Sequence, residues 1–263
     1  MAQRLTPTDR EYSHARRSRL LAANFTPLLA SWTRITDRLS GLILTDSGVP
    51  WLMKLAIPSG DFGAYLFDCD GTIVDSMPLH YIAWKQALGE WNCEFDEELF
   101  YAWGGKPPVQ IIAELNIMHD LEMPVAALAE RKENLYFELL HDLKPVPEVL
   151  EIIAAGYSRI PFAVVSGSTR ESIIKSLTVV GLLHYFPVIV GSEDYARSKP
   201  APDVFLAGAS RLGVPPEKCL VFEDAPIGIQ GAIAAGMATV RIPNPLERRK
   251  LERRKGTEAP LSA

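Results

Sequence analysis

Three kinds of residue pattern are missing from this 263-residue chain, and each absence narrows the reading. Cysteine is scarce: Cys69, Cys93 and Cys219 are odd in number, far apart and without CxxC spacing. That excludes a disulfide framework and gives no zinc-ligand pattern, so a reducing, cytoplasmic setting is expected. Basic excess is absent as well, since 27 Lys and Arg against 32 Asp and Glu leave a net charge of −5. Without a surplus of cations there is no global electrostatic case for a nucleic acid partner. Long apolar runs are also missing, none approaching the roughly 20 residues of a membrane span, so no membrane association is expected. What remains, at 48% hydrophobic and 22% charged residues, is the composition of an ordinary globular protein with room for one or two domains.

The first forty residues stand apart. They carry seven arginines, no lysine and only the acids Asp9, Glu11 and Asp37. An Arg-rich, acid-poor start is also the composition of an organelle-targeting segment. Thr26 followed by Pro27, with Leu28, Trp32, Ile35 and Leu39 at helical spacing, favours instead an extra helix or a loose extension. Residues 1–60 are therefore set aside as an N-terminal extension, with Met53 close enough to the core to serve as a second start. At the other end, residues 246–263 form a basic tail containing "ERRKLERRKG", expected to be a solvated helix end.

Between these ends, short apolar runs alternate with helical patterns. Tyr65 to Phe67, Phe162 to Val165, Val188 to Val190, Leu220 to Phe222 and Thr239 to Ile242 read as buried strands. Such alternation predicts an α/β fold: a parallel sheet with helices on both faces. Residues 77–144 lack strand signals and are too long for a simple crossover, so an inserted all-α domain is expected there. The core would then comprise residues 61–76 and 145–245, with "LKPVPEV" marking the return.

The polar residues that follow the strands are the functional signal, because ligands of open α/β sheets bind at the carboxyl ends of strands. The first run ends in Asp68-Cys69-Asp70-Gly71-Thr72 and the second in Ser166-Gly167-Ser168-Thr169. The third leads to "SKPAPD" with Lys199, and the fourth ends in Glu223-Asp224. Asp68, Glu223 and Asp224 supply hard oxygen ligands suited to Mg²⁺. Lys199 and Ser166 supply donors for an anion, and a carboxylate can attack phosphorus to form an acyl phosphate. Asp68 is the candidate nucleophile. Gly71 permits a bend that carries Asp70 toward a leaving group as acid and base, a contribution of roughly 10² to 10⁴ in rate. Cys69 is read as a small buried hydrophobe. A calcium loop is excluded, since its twelfth position falls on Leu79 and not on glutamate.

On these four motifs, in this order over about Phe62 to Pro243, the chain resembles the haloacid dehalogenase superfamily, and within it the β-phosphoglucomutase-like phosphatases with a helical cap. The resemblance implies a Rossmann-like core, a nucleophile at Asp68, an acid/base at Asp70 and phosphate-binding roles for Ser166 and Lys199. It also implies Mg²⁺ held by Asp68, the backbone carbonyl of Asp70, Glu223 and Asp224. Dehalogenases of this fold lack the second aspartate and the metal, so Asp70 points to phosphoryl transfer. In the insertion, His80, Trp84 and Lys132 match positions of that subfamily, with packing as the alternative for His80 and Trp84. Substrate contacts are expected from Gly105, Lys106, His80, Lys132, Ser168 and Thr169. The mutase's phosphate-binding arginine falls near Pro108, leaving Lys106 as a partial substitute, and Ser168-Thr169-Arg170 replaces Ser-Lys-Asn. The leading expectation is a monomeric Mg²⁺-dependent phosphatase of a small phosphorylated sugar or related metabolite. The alternatives are a β-phosphoglucomutase and a non-catalytic binding protein.

Overall fold

The computed structural model describes residues 55–250. The expected helix from Thr26, the alternative start at Met53 and the tail beyond residue 250 lie outside the described residues.

Five strands make one parallel sheet: β1 Ala64–Phe67, β2 Phe162–Val165, β3 Val188–Val190, β4 Cys219–Glu223 and β5 Ala238–Arg241. Their spatial order is β3-β2-β1-β4-β5, so β1 is central and the chain reverses its direction of travel between β1 and β4. Tyr65 pairs with Phe162 on one side and Leu220 on the other, and Phe67 with Val164 and Phe222. This register brings the ends of β1 and β4 to the same level. The expected strands agree with these to within one or two residues. β4 extends through Glu223, so one of the expected loop acids ends a strand.

Both faces of the sheet are covered. One buries Leu66, Ala163, Val165 and Val221 against Val204, Phe205 and Ala209 of α7 (Asp203–Leu212) and Ala232 of α8 (Pro226–Ala234). The other buries Phe67, Phe162 and Phe222 against α5 (Pro147–Gly156) and α6 (Arg170–Val179). Here Phe67 and Phe222 stack with centroids 4.6 Å apart. Strands buried on both sides need no apolar-polar alternation, which is why they read as continuous apolar runs.

Between β1 and α5 lie four helices: α1 Met77–Gly89, α2 Glu97–Ala102, α3 Pro108–His119 and α4 Val125–Glu138. Proline marks several helix starts, at Pro108, Pro147 and Pro226, where its missing N–H leaves no bond unmade. Asp96 caps α2 by accepting from the Leu99 N–H at 2.7 Å. The segments leaving and rejoining the sheet region run side by side. Val74 bridges Pro145, the Val146 N–H donates to the Ile73 carbonyl at 2.9 Å, and the Asp75 N–H donates to the Lys144 carbonyl at 2.8 Å. Residues 245–250 are helical, and Arg249 pairs with Glu97 of α2. No helix among the described residues is long and apolar enough to cross a membrane.

Candidate active site

β1 delivers Asp68 to the middle of the sheet's carboxyl edge, where its N–H donates to the Phe222 carbonyl at 3.0 Å. β4 delivers Glu223 and Asp224 beside it. Carboxylate oxygens of Asp68, Glu223 and Asp224 lie within 4.8 Å of one another, and all three residues are buried. Lys199, 5% exposed, compensates part of this charge by donating to Asp68 Oδ1 at 2.6 Å and Glu223 Oε2 at 2.7 Å. Burial alone would depress the lysine, but Asp68 and Glu223 outweigh it and hold the ammonium charged above its ordinary range. Burial and then Glu223 push Asp68 up to about 8 against the pull of Lys199, and Asp224 is raised for the same reasons. One lysine is insufficient for three acids, so the cluster favours further positive charge.

Glycine makes the packing around these acids possible. A β carbon at Gly228 would lie 2.1 Å from the Glu223 carboxyl carbon, and one at Gly71, whose φ is +82°, would lie 2.3 Å from Asp224 Oδ2. Thr72 Oγ1 donates to Asp224 Oδ1 at 3.4 Å and the Ala225 N–H to Glu223 Oε1 at 3.1 Å. This compact set of hard oxygens fits a divalent cation of the Mg²⁺ type.

Asp70 is turned into a separate network. Its Oδ1 accepts from Ser76 Oγ at 2.7 Å and meets His80 Nε2 at 3.2 Å, while its Oδ2 accepts from Ser168 Oγ at 2.6 Å. Burial raises this carboxyl, but the bonds from His80, Ser168 and Ser76 win and hold it below the usual carboxylate range. Lys132 Nζ lies 2.9 Å from His80 Nδ1 and 3.2 Å from Glu133 Oε2. An ammonium only donates, so Nδ1 accepts and the ring N–H sits at Nε2, aimed at Asp70. His80 also stacks on Tyr136 with centroids 3.8 Å apart. It therefore packs and hydrogen-bonds at once. Trp84 is buried against Phe95.

Ser166, 1% exposed, directly follows β2 and accepts from the Ser168 N–H at 3.1 Å. Thr169 caps α6 by accepting from the Ser172 N–H at 3.2 Å. Gly105, with φ +85°, brings the loop after α2 against Ala225 and Ile227; a β carbon there would meet the Ile227 side chain at 3.2 Å. Lys106 is bound to both oxygens of Glu114, at 2.9 and 2.7 Å. A cavity of about 720 Å³ opens over these groups, lined by Asp68, Asp70, His80, Gly105, Lys106, Lys132, Ser166, Ser168, Thr169, Glu223 and Asp224. Lys199 stands behind Asp68 and Glu223 and is not part of that lining. The Cys69 side chain lies in the apolar core, and burial raises its thiol.

Four participants were not singled out by the sequence reading: Ser76, Glu114, Glu133 and Gly228. Of these, Gly228 carried a signal, four residues after Asp224 in the small-residue run "APIGIQGA".

A parallel sheet that places acids, hydroxyls and an ammonium beside the point where its strand order reverses defines a doubly wound α/β protein with its site at the carboxyl edge. The family profile described as haloacid dehalogenase-like hydrolase matches residues 65–242, and the chain belongs to this family. Among its relatives, the fructose-1-phosphate phosphatase YqaB of Escherichia coli (strain K12) is 39% identical over 184 residues, covering 69% of this chain and 96% of that protein. The phosphorylated carbohydrates phosphatase of Thermotoga maritima is 29% identical over 181 residues, covering 67% and 83%. A crystal structure of β-phosphoglucomutase from Clostridium difficile superposes with a TM-score of 0.63 over 74% of this chain and 98% of that one; at 23% identity it speaks to the fold alone.

Proposed function

We propose that the protein is a Mg²⁺-dependent phosphatase of a small phosphorylated metabolite, a sugar phosphate in the first instance, working through a phosphoaspartate at Asp68. The observation that carries this reading is Asp68 itself: a buried carboxylate at the end of the central strand, bonded to Lys199 at 2.6 Å, at the floor of the cavity. The names of the two phosphatase relatives support the substrate class.

The roles follow from the geometry. An Asp68 oxygen attacks phosphorus, the bond to the substrate's ester oxygen breaks, and that oxygen takes a proton from Asp70. Water then attacks the phosphorus of the acyl phosphate, its proton passes to Asp70, and inorganic phosphate leaves with Asp68 restored. Held ionised by Ser76, His80 and Ser168, Asp70 is set to accept that second proton; to act first as the acid it must arrive protonated. Ser166 and Lys199 fix the phosphoryl group and the attacking carboxylate. Asp68, Glu223, Asp224 and the Asp70 carbonyl would hold Mg²⁺, which would supply the positive charge that phosphoryl oxygens require. In this reading residues 61–76 and 145–245 form the catalytic core, and residues 77–144 form a cap that excludes water. The enzyme acts as a cytoplasmic monomer.

The isomerase alternative asks the cap to hold a second phosphate, and Lys106, the cation expected to do so, is engaged by Glu114. Phosphate release from fructose 1-phosphate, other phosphosugars, phosphoglycolate and nucleotides tests the proposal. Turnover of at least one monophosphate is expected, falling to background in Asp68→Asn; an Asp68→Asn chain as active as the parent refutes it. Conversion of β-glucose 1-phosphate to glucose 6-phosphate without free phosphate would establish the isomerase instead.

A further inference from the structure

Resting on the phosphatase reading, the geometry points to Glu114 as a specificity-determining residue: by clamping Lys106 it restricts the site to substrates with one phosphoryl group on an otherwise uncharged, hydroxylated body. Lys106 emerges at the cavity wall directly after Gly105 and could meet a second anionic group there. It is instead gripped by both Glu114 oxygens, at 2.9 and 2.7 Å, with its ammonium 4.3 Å from the centroid of the Trp103 ring. A carboxylate using both oxygens on one ammonium leaves it little attraction for a further anion.

The rest of the wall repeats this pattern. Lys132 is engaged by His80 and Glu133, and Lys175 by Glu171 at 2.8 Å while lying over the Phe137 ring. Among the described residues no arginine lines the cavity, whereas Glu130, Glu133 and Glu171 do. Away from the acid cluster at its floor, the wall therefore offers an incoming carboxylate or second phosphate only cations that already have partners, beside like charges that repel it. A second anionic group would have to displace Glu114 before gaining a partner, and bear the repulsion meanwhile. Hydroxyls meet no such barrier, since Gln110 and Asn134 line the same cavity and can donate and accept hydrogen bonds.

Calorimetric titration of the full chain carrying Asp68→Asn, with Mg²⁺, separates this inference from the catalytic reading, because binding is read without turnover. Fructose 1-phosphate should bind at least tenfold more tightly than fructose 1,6-bisphosphate. Adding Glu114→Gln, at a half-exposed helix position, should shift the affinity ratio toward the bisphosphate by up to about fivefold, the size of one exposed charge pair gained. Adding Lys106→Gln to that variant should return the ratio to its starting value. Equal affinity for both ligands, binding of neither, or a Glu114→Gln ratio that does not move in a chain melting like its parent overturns the inference. Failure of the parent to release phosphate from any monophosphate counts against the phosphatase reading alone.

Discussion

Replacing Lys199 with Met tests how the acid cluster is held together. The substitution keeps a long apolar stem beside Phe205, whose ring centroid lies 5.3 Å from the ammonium, and deletes only the charge. Asp68 and Glu223 then lose contacts of 2.6 and 2.7 Å at positions 5% and 1% exposed. Removing one partner of a buried ion pair costs about 3–5 kcal/mol, less whatever the orphaned carboxyls recover by taking up protons. That recovery makes the cost depend on pH. Asp68 is already raised from 3.8 to about 8 by burial and by Glu223, with Lys199 opposing them. A carboxyl with a raised folded pKa binds protons more tightly when folded, so metal-free stability falls as pH rises from about 4 to about 8 and then levels off. Without Lys199 the folded pKa rises further, and the fall continues to higher pH. For a body of roughly 200 residues each kcal/mol is about 2–4 °C in Tm, giving a deficit of about 6–20 °C at pH 9 and a smaller one at pH 6. Scanning calorimetry of parent and variant in EDTA measures both values. Added Mg²⁺ should then raise the variant's Tm more than the parent's, because the divalent charge replaces what was lost. A variant that melts with the parent at both pH values, or whose deficit shrinks as pH rises, refutes this account of the cluster.

Ser168→Ala removes the 2.6 Å bond that helps keep Asp70 ionised, so the acidic limb of kcat against pH should move to higher pH; an unmoved limb would mean that Ser168 does not tune Asp70. Gly228→Ala places a β carbon 2.1 Å from the Glu223 carboxyl carbon and should cost about 1–3 kcal/mol while raising the Mg²⁺ concentration needed for half-maximal activity. Gly89→Ala, with nothing within 4 Å of the new carbon, should leave both unchanged or raise stability by about 0.4–1 kcal/mol in denaturant titrations. Arg249→Ala breaks an exposed pair with Glu97 and should change stability by about 1 kcal/mol or less, read the same way.

The core was legible because its signals are local. A strand buried on both faces must be apolar, and it must stop being apolar where it meets the ligand edge; "YLFDCDG" and "VFEDA" show both facts in a few letters. The insertion was less legible. Its helices could be inferred from apolar spacing, but the contact of Lys132 on α4 with His80 on α1, and through it with Asp70, depends on how two helices lie against each other. Periodicity carries no such information. Lys106 illustrates the same limit at short range: Pro107 interrupts the chain before α3, so no helical register connects Lys106 with Glu114 eight residues on. Spacing alone therefore offers Lys106 to the substrate, whereas its ammonium is bonded to Glu114.

The paired crossings at Val74 and Pro145 have a consequence for how such a molecule can be altered. Since the Asp75 N–H reaches the Lys144 carbonyl at 2.8 Å, the segment of nearly seventy residues between them begins and ends one strand spacing apart. A gap of that width is what a tight hairpin closes. A short turn joining Asp75 to Lys144 would therefore span the gap without rerouting any strand, and another segment could be spliced in at the same crossing.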